Sequence, residues 1–225
     1  MKPLLSKSQD NNSLQTLGRA SVQIVHDLKN QLNGLKLYAT FLRKRLEKTE
    51  RPADEMETVN KLISGLDRAA SDLSTLVQYG RPIELRKQPG VDVQKIVRSV
   101  AVTVSEAPRG TGQLTGSMTV DAESQALTGE FDPALLAEAV KSISVGAMKI
   151  QGNVEQEKVR VSLKRDASDV LIEWHGLNNL DHDPFRSFAG SDEIRMSLAA
   201  KVIEAHGGSA ESQNDCLIVR LPLTS

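Results

Sequence analysis

His26, Asp27, Lys29 and Asn30 fall together in the stretch His26-Asp27-Leu28-Lys29-Asn30-Gln31-Leu32. A neutral imidazole titrates at about pH 6.5 and is a competent nucleophile toward phosphorus at neutral pH. Asp27 follows at once, where a carboxylate can accept the imidazole N–H, fix the tautomer and offset charge as the ring is phosphorylated. Asn30 lies one turn further, about 6 Å along a helix and on the same face, where its amide can orient a water or a phosphoryl oxygen. Lys29 brings positive charge to a phosphoryl group in transit. The plainer reading is a solvated helix face that happens to carry a histidine. The spacing favours chemistry.

A helix must hold these groups, and the sequence supplies one. From Leu14 to about Glu47 there is no proline, and apolar positions recur at alternating steps of three and four. Leu14, Ser21, Leu28, Leu35 and Leu42 form one heptad column, and Gly18, Val25, Leu32, Ala39 and Leu46 the other. That is a bundle seam, and Asn11, Asn12 and Ser13 offer caps before it. Val25, Leu28 and Leu32 claim the seam, which turns His26 toward solvent. Thr49 to Arg51 break the pattern, and Pro52 suits the first turn of a second helix, with Asp54, Glu55 and Glu57 at its positive end. Val59, Leu66, Leu73 and Leu62, Ala69, Leu76 repeat the seam until Gly80 and Pro82. Two long amphipathic helices with a short connection fold back antiparallel. One hairpin cannot bury both sides of its stripe, so a homodimer forming a four-helix bundle is expected.

The rest of the chain is mixed. Residues 91 to 105 predict a helix, and Ser117 to Ser124 with Ala126 to Phe131 alternate like the arms of a hairpin. Asp132-Pro133 is an N-cap followed by a first-turn proline, opening a helix to about Ile150. Lys158 to Leu163 and Val170 to Trp174 predict strands, Ile194 to Ala205 a helix closed by Gly207-Gly208, and Cys216 to Leu221 a last strand. The class is α+β: a two-helix hairpin over 1–82, then over 83–225 an α/β sandwich with one mostly antiparallel sheet covered on one face.

Composition removes several classes of function. The 225 residues carry 28 Lys+Arg against 29 Asp+Glu, so there is no basic surplus for a phosphate backbone, and seven aromatics give little to stack bases on. No nucleic acid partner is expected. One cysteine, Cys216, closes no intrachain disulfide and makes no cysteine-rich zinc site. No apolar run nears the roughly 20 residues of a membrane span, and the opening residues lack a signal-peptide core. A cytoplasmic protein without a membrane segment is expected.

The His26 stretch resembles the H box of two-component sensor histidine kinases: His, acidic, any, basic or polar, Asn, any, Leu, with Gln31 standing where proline is common. The resemblance implies that His26 is the phospho-acceptor and Asp27 its acid/base partner. Asp27-Leu28-Lys29-Asn30 also matches the acidic-x-x-Asn pattern such proteins use to dephosphorylate a response regulator, with Asn30 positioning water. The second half resembles the matching ATPase-like domain in order and spacing. Asp132 to Ala147 corresponds to its first helix, Phe185 to Phe188 to its Phe-x-x-Phe segment, Ile203 to Gly208 to its ending, and Val219-Arg220-Leu221-Pro222 to its last strand.

The kinase's nucleotide chemistry is missing. The magnesium-holding Asn of the family falls on Gly146, and the preceding Asn position on Ser142. Trp174-His175-Gly176-Leu177-Asn178-Asn179 stands where an Asp-x-Gly-x-Gly would read adenine. The lid glycines fall on Glu193 and Arg195. Asp181, His182 and Asp183 form a small polar cluster that could replace the adenine carboxylate or bind a metal, but its spacing matches no standard ligand set, so it reads as a loop face. Pro108 to Gly112 reads as a flexible loop. His206 reads as a helix-end histidine favoured by the C-terminal dipole, Cys216 as core, and Trp174 as packing between sheet and helices.

The expected function is therefore phosphoryl transfer between His26 and a response-regulator aspartate, or dephosphorylation of that regulator, without ATP autokinase activity. Mg²⁺ would sit on the partner receiver domain. Partners are that receiver, a second copy of the chain, and a separate sensor protein or kinase for input. Two alternatives differ in kind: an ATP- and Mg²⁺-dependent sensor kinase with a divergent pocket, and a non-catalytic dimerising scaffold.

Overall fold

A computed structural model describes residue 25 and residues 27–47, 53–105, 118–123, 125–151, 159–177, 182–213 and 215–224. The chain divides into two compact units, Met1–Pro82 and Ile83–Ser225. The predicted start of the first helix, residues 14–24, lies outside the described residues, as do Thr49–Pro52, the loop of Pro108–Gly112 and the candidate phospho-acceptor His26.

In the first unit, helix α1 runs over 27–46 and α2 over Ala53–Gly80. Asp54 and Glu55 fill the first turn of α2, where the helix dipole favours negative charge. Lys36 Nζ lies 2.5 Å from Asp67 Oδ1. These residues stand far inside their helices, at about 1.5 Å of rise per residue, so their meeting requires the chain to fold back on itself. The two heptad columns then part company. Ala39 is buried, with Val25, Leu32 and Leu46 of its column half-buried, and Val59 of α2 is buried as well. Leu28, Leu35 and Leu42 of the other column stay 43%, 54% and 47% exposed, and Leu62 of α2 is 52% exposed.

The second unit packs three helices on one sheet. Its elements are β1 (Gln88–Asp92), α3 (Val93–Ser105), β2 (Met118–Ala122), β3 (Thr128–Phe131), α4 (Pro133–Gln151), β4 (Val159–Asp166), β5 (Asp169–His175), α5 (Ser191–Ala205), β6 (Ser209–Gln213) and β7 (Cys216–Pro222). The sheet order is β2-β4-β5-β7-β6, antiparallel except for the parallel pair β2–β4. Alternation sorts the side chains. Val161, Leu163, Val170, Ile172, Trp174, Leu217, Val219 and Leu221 face the core with Val97, Leu136, Ile143 and Ile203 of the helices. Each such side chain contributes about 1.5–3 kcal/mol by leaving water.

The predicted pairing of β2 with β3 does not occur. Both strands form, but β3 pairs with β1 in a separate two-stranded sheet and β2 pairs with β4. Gly129 allows the tight fit of β3: a Cβ there would meet the Phe131 ring at 2.2 Å and the Pro222 carbonyl at 3.0 Å. β6 was not foreseen. Cys216 is not core either; it lies half-buried on the sheet face away from the helices, and burial, helped by the Glu173 charge, pushes its thiol up to about 11.

Helix ends are closed as the sequence predicts, with one difference. Asp132 caps α4, its Oδ1 accepting the N–H groups of Ala134 and Leu135, while Oδ2 accepts that of Arg86. α5 ends with Gly207 at φ +87, the Gly208 N–H bonding the Ile203 carbonyl and the Gly207 N–H that of Glu204. The difference is His206, which is buried rather than a charged helix end. Its Nδ1–H donates to the Val202 carbonyl at 2.8 Å, and its Nε2 accepts the Asp132 N–H at 3.0 Å. The ring thus ties the end of α5 to the start of α4 in its neutral form. Burial, with Lys87 adding to it, holds its pKa below the ordinary 6.5 against the opposing pull of Val202 and Asp132. Stability from this tie is fully present above pH 6.5 and declines as pH falls toward the lower folded value, because the unfolded chain takes the proton first. Denaturant unfolding across that range should show this slope in the native chain and lose it in His206→Gln. An unchanged slope would assign it elsewhere.

Candidate functional site

Asp27, Lys29 and Asn30 all lie on α1. Asp27 and Asn30 are exposed, and Lys29 is half-buried. At i and i+3, Asp27 and Asn30 are neighbours on the helix surface, whereas Lys29 at i+2 from Asp27 points to another flank. The structure therefore brings the carboxylate and the amide together in water and sets the ammonium apart. His26 lies outside the described residues. A carboxylate and an amide one turn apart can orient a water or hold an N–H, and their exposure leaves room for a docking protein.

In the second unit the residues that the resemblance aligns with nucleotide positions are taken up by packing and loop contacts. Gly146 is buried in α4 against α5, and a Cβ there would meet Met196 Sδ at 2.1 Å. The thioether fills the space in which a longer side chain would carry a metal ligand. Two residues away Ser144 is buried and accepts the Trp174 Nε1–H at 3.0 Å, so the end of β5 is committed to packing. Trp174 packs between sheet and helices as the sequence predicts. Lys149 Nζ meets Asp192 Oδ2 at 2.5 Å and fastens α4 to the first turn of α5. Gly146 offers no side chain to hold magnesium.

Glu193, in place of a lid glycine, is turned inward to its own loop. Its carboxylate accepts the Ser187 hydroxyl, the Ala189 N–H at 3.1 Å and His182 Nε2 at 3.0 Å. The Ser187 bond holds this carboxyl below its ordinary range, with His182 and Ala189 adding, against the desolvation that opposes them. Gly190 at the N-cap of α5 has no side chain to cap with, and Glu193 from the first turn instead binds the loop that precedes the helix. The loop is held at further points: Ser197 Oγ donates to the Ser187 carbonyl, Asp183 Oδ1 accepts the Phe185 N–H, and Phe185 is buried while Phe188 is 48% exposed. Asp181 lies outside the described residues. Among the described residues no three His, Cys, Asp or Glu side chains converge as a metal group.

No protein-family model matches the sequence. No curated protein matches it either. Solved structures do. The whole chain matches 68% of histidine kinase ThkA, solved in complex with the response regulator protein TrrA, at TM-score 0.65 and 16% identity. It matches Acinetobacter baumannii histidine kinase AdeS over 87% of this chain and 97% of that one, at TM-score 0.57 and 13% identity. The fold is that of the histidine kinases. Full-length ShkA, solved in complex with AMPPNP, matches over 92% of this chain at TM-score 0.69 and 18% identity, and this chain spans 46% of its length. The histidine-kinase fold here has both expected parts, a helical hairpin and the ATPase-type sandwich. Among the described residues no helix is long and apolar enough to cross a membrane.

The sequence did not point to Met196 or to the partners of Glu193. A methionine at a helical apolar position looks like any other core residue. Only the contact with Gly146 gives it meaning.

Proposed function

We propose that this chain is a dimeric, cytoplasmic phosphorelay protein that exchanges phosphoryl groups with the receiver domain of a response regulator. Residues 1–82 carry the transfer chemistry, and residues 83–225 serve as a protein-binding ATPase-like domain without nucleotide. The observation that carries the reading is the sequence His26-Asp27-x-Lys29-Asn30, of which Asp27, Lys29 and Asn30 lie on the first helix of a hairpin with Asp27 and Asn30 exposed, in a chain of histidine-kinase fold. One nitrogen of His26 attacks the phosphorus of a receiver aspartyl phosphate. The N–P bond forms as the P–O bond to the aspartate breaks, and the aspartate leaves as a carboxylate. Asp27 accepts the other ring N–H and steadies the charge of the phosphorylated ring. No ATP is required, because acyl phosphate and phosphoramidate are both high-energy species. Dephosphorylation uses the same surface, with Asn30 orienting water at the receiver. The packing of Met196 on Gly146 supports a path without autokinase activity.

Incubation with a phosphorylated receiver should transfer acid-labile label to this protein; no label, and no faster loss of phosphate from the receiver, would overturn the reading. The exposed column Leu28, Leu35, Leu42, which a second hairpin would cover, supports the dimer. Leu35→Glu with Leu42→Glu should turn the dimer into monomers in analytical ultracentrifugation, and a sedimentation coefficient that did not change would place the interface elsewhere.

A further inference from the structure

His175 and Cys216 face each other directly across the β5–β7 ladder, on the sheet face away from the helices. Cys216 Sγ lies 3.6 Å from His175 Nδ1. A tetrahedral zinc with a metal–sulfur bond of about 2.3 Å and a metal–nitrogen bond of about 2.0–2.1 Å holds two such donors about 3.6 Å apart. From this coincidence we infer that Cys216 and His175 form a surface site for a thiophilic divalent cation such as zinc.

The surroundings fix the imidazole for that task. His175 Nε2 lies 3.1 Å from Ser162 Oγ, and the Ser162 hydroxyl donates to Glu173 Oε2 at 3.1 Å. With its proton committed to Glu173, Ser162 Oγ accepts from Nε2–H, and the lone pair of Nδ1 is left toward the sulfur. Glu173 is held in turn by Lys164 Nζ at 3.1 Å. A ligating histidine whose second nitrogen is tied through hydrogen bonds to a carboxylate is the usual way a protein orients such a ring. The His175 side chain is 40% exposed, so an ion reaches the pair from solvent. No third side chain of ligand type converges among the described residues, so water fills the remaining positions and the site stays open to an incoming donor. Binding exchanges the thiol proton for the metal: the S–H bond breaks, the sulfur–metal bond forms, and one proton passes to solvent for each ion bound. The bound ion would cross-link the two central strands β5 and β7. The inference does not depend on the phosphorelay reading.

Cobalt(II) replaces zinc as a spectroscopic probe. The sequence holds one cysteine, so thiolate-to-cobalt charge-transfer absorption can come only from Cys216. Titration of the full chain, kept reduced, should give that absorption with one ion and one released proton per chain, reversed by competing zinc. Cys216→Ser and His175→Ala should each abolish it. Glu173→Gln, which leaves both ligands, should weaken affinity about 10–100-fold. His175→Gln, with folding checked by circular dichroism, keeps the test sound if the alanine variant unfolds. Absence of the charge-transfer band, or a band indifferent to both His175 variants, would overturn the site.

Discussion

His26→Ala should abolish labelling of this protein by a phosphorylated receiver, leaving fold and dimer intact. The reading puts the phosphoramidate on that ring alone, and the other three histidines do not substitute for it. His206 is buried with both nitrogens engaged, and His175 and His182 belong to the second unit, outside the hairpin that carries the transfer chemistry. Asp27→Asn keeps the shape and removes the acid/base group, so transfer should slow by about 10²–10⁴-fold, the usual worth of a placed acid or base. That loss corresponds to about 3–5 kcal/mol at about 1.4 kcal/mol per tenfold. Asn30→Ala separates the two activities: label on His26 should persist while dephosphorylation of the regulator slows. Rapid-quench transfer and receiver phosphate lifetime measure the two. Label surviving His26→Ala would place the acceptor elsewhere, and an unaltered lifetime with Asn30→Ala would remove the phosphatase half of the proposal.

What the sequence revealed, and what it hid, follows from the range of the forces involved. Elements with local signals were legible. The 3-and-4 spacing of Leu28 to Leu46 gave α1, Asp132-Pro133 gave the start of α4, and Gly207-Gly208 gave the end of α5. Pairing partners were hidden, because alternation tells which face a residue takes but not which strand lies beside it. β2 and β3 therefore looked like one hairpin, when the chain instead sends β3 to β1. β1 was invisible for a local reason: Gln88-Pro89-Gly90-Val91-Asp92 has neither alternation nor β-branched density. At the candidate site, residue types and spacing exposed the His26 stretch. The fate of the nucleotide pocket was only half legible. Gly146 and Glu193 could be seen as missing ligands, but what replaced them depended on side chains far apart in sequence. Met196 comes from α5 to Gly146 on α4, and the loop from His182 to Ala189 comes back to Glu193.

That replacement makes the second strong prediction. Restoring an asparagine at Gly146 should harm the protein and recover no kinase. The new side chain begins with a Cβ at 2.1 Å from Met196 Sδ, in a fully buried part of the α4–α5 contact. Overpacking of this kind costs about 1–3 kcal/mol, read as a lower denaturant midpoint at unchanged slope. Met196→Ala alone should also destabilise, by about 2–5 kcal/mol, because it opens a cavity over the glycine. Combined, the two changes should lose less than their sum, since the asparagine occupies the space the methionine leaves. Neither single variant nor the pair should take acid-labile label from γ-labelled ATP with magnesium. The sequence Trp174 to Asn179 at the end of β5 and just after it still carries no carboxylate, and the Glu193 carboxylate still holds the loop at the start of α5. Full additivity would mean that Met196 does not fill the position, and label from ATP in the native chain would mean that the sandwich binds nucleotide through contacts other than these.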